Sequence, residues 1–161
     1  MLDWLESLAA RAVWDISLQQ LLQEVRILCM PLVNIGGLVM NTRANPNGVD
    51  LMRNAPVEAR GFTAWPLGGQ RLSPRLPWYR GRRDRLEPEA ELLVTTVRQR
   101  LLGQPFSLAM DCHSGFGLRD RIWFPWACSR EAPPHLTDAV ALRAICISTH
   151  PYHDFYLKAP H

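Results

Sequence analysis

The segment from Phe106 to Gly117, FSLAMDCHSGFG, constrains the architecture of this chain more than any other. A largely apolar run, Phe106 to Met110, leads through Asp111 and Cys112 to His113, and Ser114-Gly115-Phe116-Gly117 then turns the backbone away. That pattern predicts a buried strand over Phe106–Cys112 with an imidazole at its C-terminal end. Strand ends in α/β sheets are where ligands and catalytic groups gather. A single histidine so placed is more often a core residue satisfied by a backbone hydrogen bond. His113 carries functional weight only in company.

The rest of the chain supplies the layers around such a strand. Apolar residues at 5, 8, 9, 12 and 13 have helical spacing, and Leu18, Leu21, Leu22 and Val25 continue it. Val25 to Val33 reads as a second buried strand, ending at Asn34 with Gly36-Gly37 marking its exit. Glu87-Pro88-Glu89 opens a helix, because proline suits the first helical position and acids suit the positive end of the macrodipole. Leu92, Leu93, Val97 and Leu101 form its inward face and Gly103 ends it. A short strand over Arg121–Trp126 and a last helix over Leu136–Ile147, after Pro133-Pro134, complete the pattern. Helices leading into buried strands predict a layered α/β architecture.

Between Asn41 and about Asp84 periodicity is weak, and the residues are rich in Asn, Pro, Gly, Trp and Arg. Stretches this long in compact domains are functional or disordered, and Phe62, Trp65, Trp78 and Tyr79 argue against disorder. With 161 residues, 47% hydrophobic and 20% charged, the composition is that of one globular domain. No apolar run approaches the roughly 20 residues that span a bilayer. The start, Met-Leu-Asp-Trp-Leu-Glu, has neither a basic leader nor a signal-like cleavage site, so a soluble, cytoplasmic protein is expected. Cys29 and Cys112 lie in apolar runs, where free cysteine acts as a small hydrophobe; no CxxC pair suggests a thiolate metal site.

The net charge is +3, and Lys158 is the only lysine. Arg71, Arg75, Arg80, Arg82, Arg83 and Arg85 cluster in sequence, but without the basic-aromatic alternation of a nucleic-acid module. A solvated loop is the favoured expectation, and nucleic acid is not the expected partner.

The companion that His113 needs lies upstream, in Asn45-Pro46-Asn47-Gly48-Val49-Asp50-Leu51-Met52-Arg53-Asn54. Asn-Pro-Asn-Gly is turn chemistry, with Gly48 able to take positive φ. Singly, Arg43, Asp50, Arg53 and Asn54 read as ordinary loop residues or a surface ion pair of little worth. As a set, NPNGVDLMRNAP resembles the block N-P-[ND]-G-V-D-L-N-R-N-F-P of the zinc carboxypeptidase family. Tyr79-Arg80-Gly81 with Glu87-Pro88-Glu89 resembles its Y-x-G and E-P-E block, His113-Ser114-Gly115 its last zinc-ligand block, and Trp123-Phe124-Pro125 the strand that follows. Order and spacing agree along nearly the whole chain. Glycine-rich features such as His113-Ser-Gly-Phe-Gly look more like a bacterial carboxypeptidase-like branch of undefined substrate than a digestive enzyme.

The resemblance implies an α/β fold: a three-layer α/β/α sandwich around a mixed sheet, formed by residues 1–161 as a single, incomplete domain. It implies a Zn2+ cofactor with His113 as the last metal ligand, and Asp50 as the carboxylate that orients a ligating histidine. It places Arg53, with Asn54 beside it, at the substrate's terminal carboxylate, where a guanidinium fork fits, and Arg43 at the scissile carbonyl as the catalytic cation. The chain departs from the family at Met52, where the family has Asn and where a thioether donates no hydrogen bond. It also contains no His-x-x-Glu, the source of the family's first two zinc ligands; His135-x-x-Asp138 comes after His113 and is read as coincidence. The family's catalytic glutamate falls beyond His161.

Hydrolytic zinc chemistry needs three ligands, a bound water and a carboxylate base. The expected function is therefore a metallocarboxypeptidase-like hydrolase of C-terminal peptide or amide bonds, with this polypeptide inactive by itself. One alternative keeps the scaffold and hydrolyses small acyl-amino acids, as aspartoacylase and succinylglutamate desuccinylase do. Another is a non-catalytic binding module that uses the arginine-rich loop for an acidic partner. A sheet with raw edges predicts oligomers or aggregation.

Overall fold

The computed structural model describes residues 2–58, 68–112, 121–122 and 134–155. Helix α1 (Leu2–Ala12) and helix α2 (Ile16–Glu24) form a helical hairpin at the N-terminus. Asp15 makes the corner: its carboxylate accepts from the Leu18 amide at 3.0 Å as N-cap of α2 and from the Arg11 guanidinium at 2.6 Å. Leu18 is the buried side chain of this pair.

Helix α3 (Ile35–Val39) is capped by Asn34, whose Oδ1 accepts from the Gly37 amide at 2.9 Å. Its Nδ2 donates to the Arg43 carbonyl at 3.1 Å, so the same side chain folds the following loop back over the helix start. Gly37 lies so near that loop that a Cβ there would come within 2.7 Å of the Ala44 carbonyl oxygen. Gly36-Gly37 therefore sits inside a short helix rather than in the turn that glycine pairs suggest.

Helix α4 (Pro88–Arg100) begins at Pro88, with Glu87 as N-cap and Glu89 and Glu91 in the first turn, as the sequence predicts. Gly103, at φ +83°, follows it. Helix α5 (Leu136–Thr149) matches the predicted last helix with two further residues at its end. Strand β1 (Arg121–Ile122) and strand β2 (Asp154–Phe155) pair in parallel, Arg121 with Asp154 and Ile122 with Phe155.

That two-residue ladder corrects the predicted three-layer α/β/α sandwich, because among the described residues it is the whole sheet. The remaining pairing is an isolated bridge between Gln70 and Tyr79. The segments expected as buried strands, Val25–Val33 and Phe106–Cys112, join no ladder there. Apolar patterning marks a segment able to enter a sheet, but a strand exists only when a neighbouring backbone takes its amides and carbonyls. Val25, Ile27, Leu28 and Leu32 are exposed, as are Phe106, Leu108 and Met110. Cys29 and Cys112, expected as buried small hydrophobes, are exposed as well. Among the described residues the wide sheet whose raw edges would drive association is likewise not seen.

Tight packing lies elsewhere. Besides Leu18, the buried apolar side chains among the described residues are Val49 and Ala90, and they are accompanied by the buried polar residues Asn45, Asp50, Asn54, Gln70 and Glu87. No helix among the described residues is long and apolar enough to cross a membrane.

Candidate functional site

The buried polar residues form one knot from three stretches of chain: residues 43–54, 69–81 and the start of α4. The Asn-Pro-Asn-Gly turn is built by Asn45. Its backbone amide donates to the Val49 carbonyl at 2.9 Å, and its Oδ1 accepts from the amides of Asn47 and Val49. Gly48 takes φ +75°, as the turn requires. The Asn45 Nδ2 donates to Glu87 Oε2 at 2.9 Å, and Asn47 Nδ2 reaches the same oxygen at 2.6 Å. Asn54 closes the knot: its Nδ2 donates to the Arg80 carbonyl and its Oδ1 accepts from the Glu87 amide, both at 2.8 Å. Gly81, at φ +77°, passes so close that a Cβ would lie 2.8 Å from Asn54 Nδ2.

Asp50 stands at the rim of this knot, buried itself but reached by two arginines. Its amide donates to the Tyr79 carbonyl at 2.8 Å, and a short 3-10 turn (Leu51–Arg53) follows. Arg53 Nη1 donates to Asp50 Oδ2 at 2.6 Å and Arg43 Nε donates to the same oxygen at 3.1 Å. Among the described residues nothing donates to Oδ1. Two guanidinium groups thus share one oxygen of a buried acid. The side chain of Arg43 is 59% exposed and that of Arg53 is 21% exposed, so the two differ in how firmly they are held. Arg43 Nη2 also donates to Met52 Sδ at 3.3 Å, so the residue that departs from the family pattern serves here as a soft acceptor for Arg43.

Arg43, Asp50, Arg53 and Asn54 are therefore brought together, with Arg43, Asp50 and Arg53 at the rim and Asn54 in the interior. His113 lies outside the described residues. Glu87 accepts from Asn45 and Asn47, and Glu89 accepts from Asn45.

The sequence missed the loop that faces Arg53. Gln70 is buried with its side chain in the mouth of the turn after it. Nε2 donates to the carbonyls of Ser73, Leu76 and Pro77, and Oε1 accepts from the amides of Leu72 and Ser73. Trp78, the residue at the far end, has φ +58° and holds its indole against the Arg53 guanidinium, 5.6 Å from ring centroid to Cζ. No local motif announces a glutamine clasp; the signals were Gly69 and the prolines of the turn.

Within the arginine cluster Arg75, Arg82, Arg83 and Arg85 are exposed, as expected of a solvated loop, whereas Arg71 and Arg80 are partly buried. Arg71 Nη1 donates to the carbonyls of Arg80, Gly81 and Arg82, and its Nη2 to Glu58 Oε1 at 2.8 Å. Arg80 reaches Glu58 Oε2 at 3.3 Å. The Nε atoms of both are buried without a hydrogen-bond partner among the described residues. The Arg71 hydrogen bond, with the Arg80 charge behind it, holds the Glu58 carboxyl below the usual glutamate range. Arg82 grips Asp84 in a bidentate pair that lowers the Asp84 carboxyl to about 2. His135 and Asp138 make an exposed pair at 3.2 Å.

A zinc centre does not fit the residues described. Among them no three His, Cys, Asp or Glu side chains converge on a point where an ion could sit, whereas a stable zinc site takes three or four such ligands. Asp50 accepts from the guanidinium groups of Arg43 and Arg53.

No match was found among curated proteins or among solved structures. A model of a protein family described as zinc carboxypeptidase does match, over residues 2–156. Together with the Asp50 knot built from the family-like block at 45–54, that match makes this chain a member of the zinc carboxypeptidase family.

Proposed function

We propose that the chain is a metallocarboxypeptidase-like hydrolase domain directed at C-terminal peptide or amide bonds, and that this polypeptide by itself does not turn over substrate. One observation supports the substrate half: Arg43 and Arg53 converge on a single oxygen of buried Asp50. A substrate's terminal carboxylate would add a second acid to the pair of guanidinium groups that meet at Asp50, and a guanidinium fork matches carboxylate geometry. In this reading Arg53, backed by Asn54, grips the terminal carboxylate. Arg43, on its more exposed stem, reaches the carbonyl oxygen of the bond to be cut. Asp50 keeps both cations in place.

His113 remains the residue proposed to bind zinc. The 161 residues hold no His-x-x-Glu, and a lone imidazole binds the ion weakly, so no hydrolytic step is assigned here. Zinc content after dialysis and hydrolysis of a blocked dipeptide test the proposal together. Substoichiometric zinc and no turnover are expected; stoichiometric zinc with turnover overturns the inactivity. Faster hydrolysis of an N-acyl amino acid than of a dipeptide would move the reading to the acyl-amino-acid class.

A cytoplasmic location and self-association belong to the same proposal. The exposed Trp4, Trp14, Ile27, Leu28 and Phe106 support association. A monomer that melts cooperatively would contradict it.

A further inference from the structure

We infer that Arg71 and Arg80, with Arg83 at their edge, form a binding site for a phosphate dianion, and that the Glu58 carboxylate is its displaceable in-chain occupant. The site is separate from the arginines on Asp50 and stands whether or not the chain acts on a peptide terminus. Glu58 bridges the two guanidinium groups, taking Arg71 Nη2 on Oε1 at 2.8 Å and Arg80 Nη1 on Oε2 at 3.3 Å. Its carboxyl is depressed first by the Arg71 hydrogen bond and then by the charges of Arg80 and Arg83, so three cations act on one acid. Asp84, the acid inside the arginine cluster, is already taken by Arg82 in a bidentate pair.

The cradle does not depend on its occupant. Arg71 Nη1 donates to the carbonyls of Arg80, Gly81 and Arg82, which anchor the guanidinium to backbone. The Arg80 backbone is fixed in turn: its amide donates to the Gln70 carbonyl and its carbonyl accepts from Asn54 Nδ2, both at 2.8 Å. The Arg71 and Arg80 side chains are 22% and 21% exposed, whereas that of Glu58 is 48% exposed. A half-exposed carboxylate holds its cations weakly, while a preorganised pair binds an incoming anion at little ordering cost. The fit of Glu58 is also uneven, since its 3.3 Å contact with Arg80 is longer than the roughly 2.7–2.9 Å of a charge-assisted hydrogen bond. A phosphate monoester carries close to two negative charges near neutrality and three acceptor oxygens. It can meet Arg71, Arg80 and Arg83 together, where a carboxylate has two oxygens for two of them.

Inorganic phosphate, phenyl phosphate and acetate are titrated into the full chain at about pH 7.5, where the phosphates are largely dianions, with ionic strength matched by sodium chloride. Binding is read by calorimetry and from the Glu58 side-chain carboxyl carbon resonance, assigned by its loss in Glu58→Gln. Phosphate should bind and move that resonance saturably, and acetate should bind at least about tenfold more weakly. Phenyl phosphate that binds as tightly as phosphate identifies a phosphoryl group on a larger ligand; weaker binding of the ester identifies the free ion. Glu58→Gln should tighten phosphate about two- to fivefold, because a weakly held competitor is gone. Arg80→Gln should weaken it about tenfold or more, and exposed Arg83→Gln about two- to threefold. Arg75→Gln, outside the cradle, should leave it unchanged. No phosphate binding above the chloride background overturns the site, as does an Arg75→Gln loss equal to that of Arg83→Gln. Acetate that matches phosphate overturns the preference for a dianion. Phosphate that binds without moving the Glu58 resonance, or no more tightly in Glu58→Gln, overturns the role of Glu58 as occupant.

Discussion

The Asn45 side chain donates to Glu87 across 42 residues of sequence, at 2.9 Å and with both residues almost fully buried. This bond ties the Asn-Pro-Asn-Gly turn to the residue that starts α4. It explains why the two family-like blocks are adjacent in space. Asn45→Ala would remove the donor and also the acceptor for the Asn47 and Val49 amides, leaving buried polar groups without partners. Unsatisfied groups of this kind cost about 1–3 kcal/mol. A loss of about 2–3 kcal/mol is expected, seen as a fall in Tm of roughly 5–10 °C in thermal denaturation. An unchanged Tm would show that the knot does not limit stability.

The two arginines on Asp50 should couple to it unequally. Arg53 is mostly covered and sits 2.6 Å from Oδ2, whereas Arg43 is largely exposed at 3.1 Å. Exposed ion pairs are worth roughly 0–1 kcal/mol, and hydrogen bonds to charged groups with less solvent about 1.5–3 kcal/mol. Double-mutant cycles with Asp50→Asn, read by urea denaturation, should give a coupling near 1–2 kcal/mol for Arg53→Ala and below about 1 kcal/mol for Arg43→Ala. The reverse order would mean that Arg43 is the anchored cation, and the roles proposed for the two would exchange.

Helices and site were legible to different degrees, and the sheet least of all. Helix α4 was readable from Glu87-Pro88-Glu89 and Gly103 because caps and dipole effects are local chemistry. Gly48 and the grouping of Arg43, Asp50, Arg53 and Asn54 followed from twelve contiguous residues, Arg43 to Asn54. The apolar runs at 25–33 and 106–112 were misread because strand pairing depends on neighbours that no local pattern specifies. Gln70, Glu58 and Trp78 were invisible for a related reason. Glu58 and Trp78 act on guanidinium groups of other segments and Gln70 on the backbone of the turn that follows it, and a lone glutamine or glutamate carries no periodic signal.

Gly81 and Gly103 separate backbone strain from crowding. Both have positive φ, +77° and +83°, but a Cβ on Gly81 meets Asn54 and Val49 while one on Gly103 meets nothing within 4 Å. Gly103→Ala should lose only the conformational term, about 1 kcal/mol. Gly81→Ala should lose that and disturb the Asn54 bridge to Arg80, for a total of about 2–4 kcal/mol. Chemical denaturation of the two variants checks the difference; equal losses would show that the loop at Gly81 yields without disturbing Asn54.

Glu58 gives the arginine loop an acid-sensitive hold. Its carboxyl is held below the ordinary value of 4.5, first by the Arg71 hydrogen bond and then by the charge of Arg80. A carboxyl depressed in the folded state adds stability above its unfolded value, and that stability drains away as pH falls through the folded value. The contribution should therefore be constant near neutrality, begin to fall at about pH 4.5, and vanish below the folded value. Because Glu58 is 48% exposed, solvent and salt screen the pair and the effect is small. Denaturation of wild type and Glu58→Gln between pH 7 and 3 should give curves that are offset at neutral pH and converge on acidification. Added salt should narrow the offset. Curves that stay parallel down to pH 3 would show that Arg71 is held by the carbonyls of Arg80, Gly81 and Arg82 without help from the carboxylate.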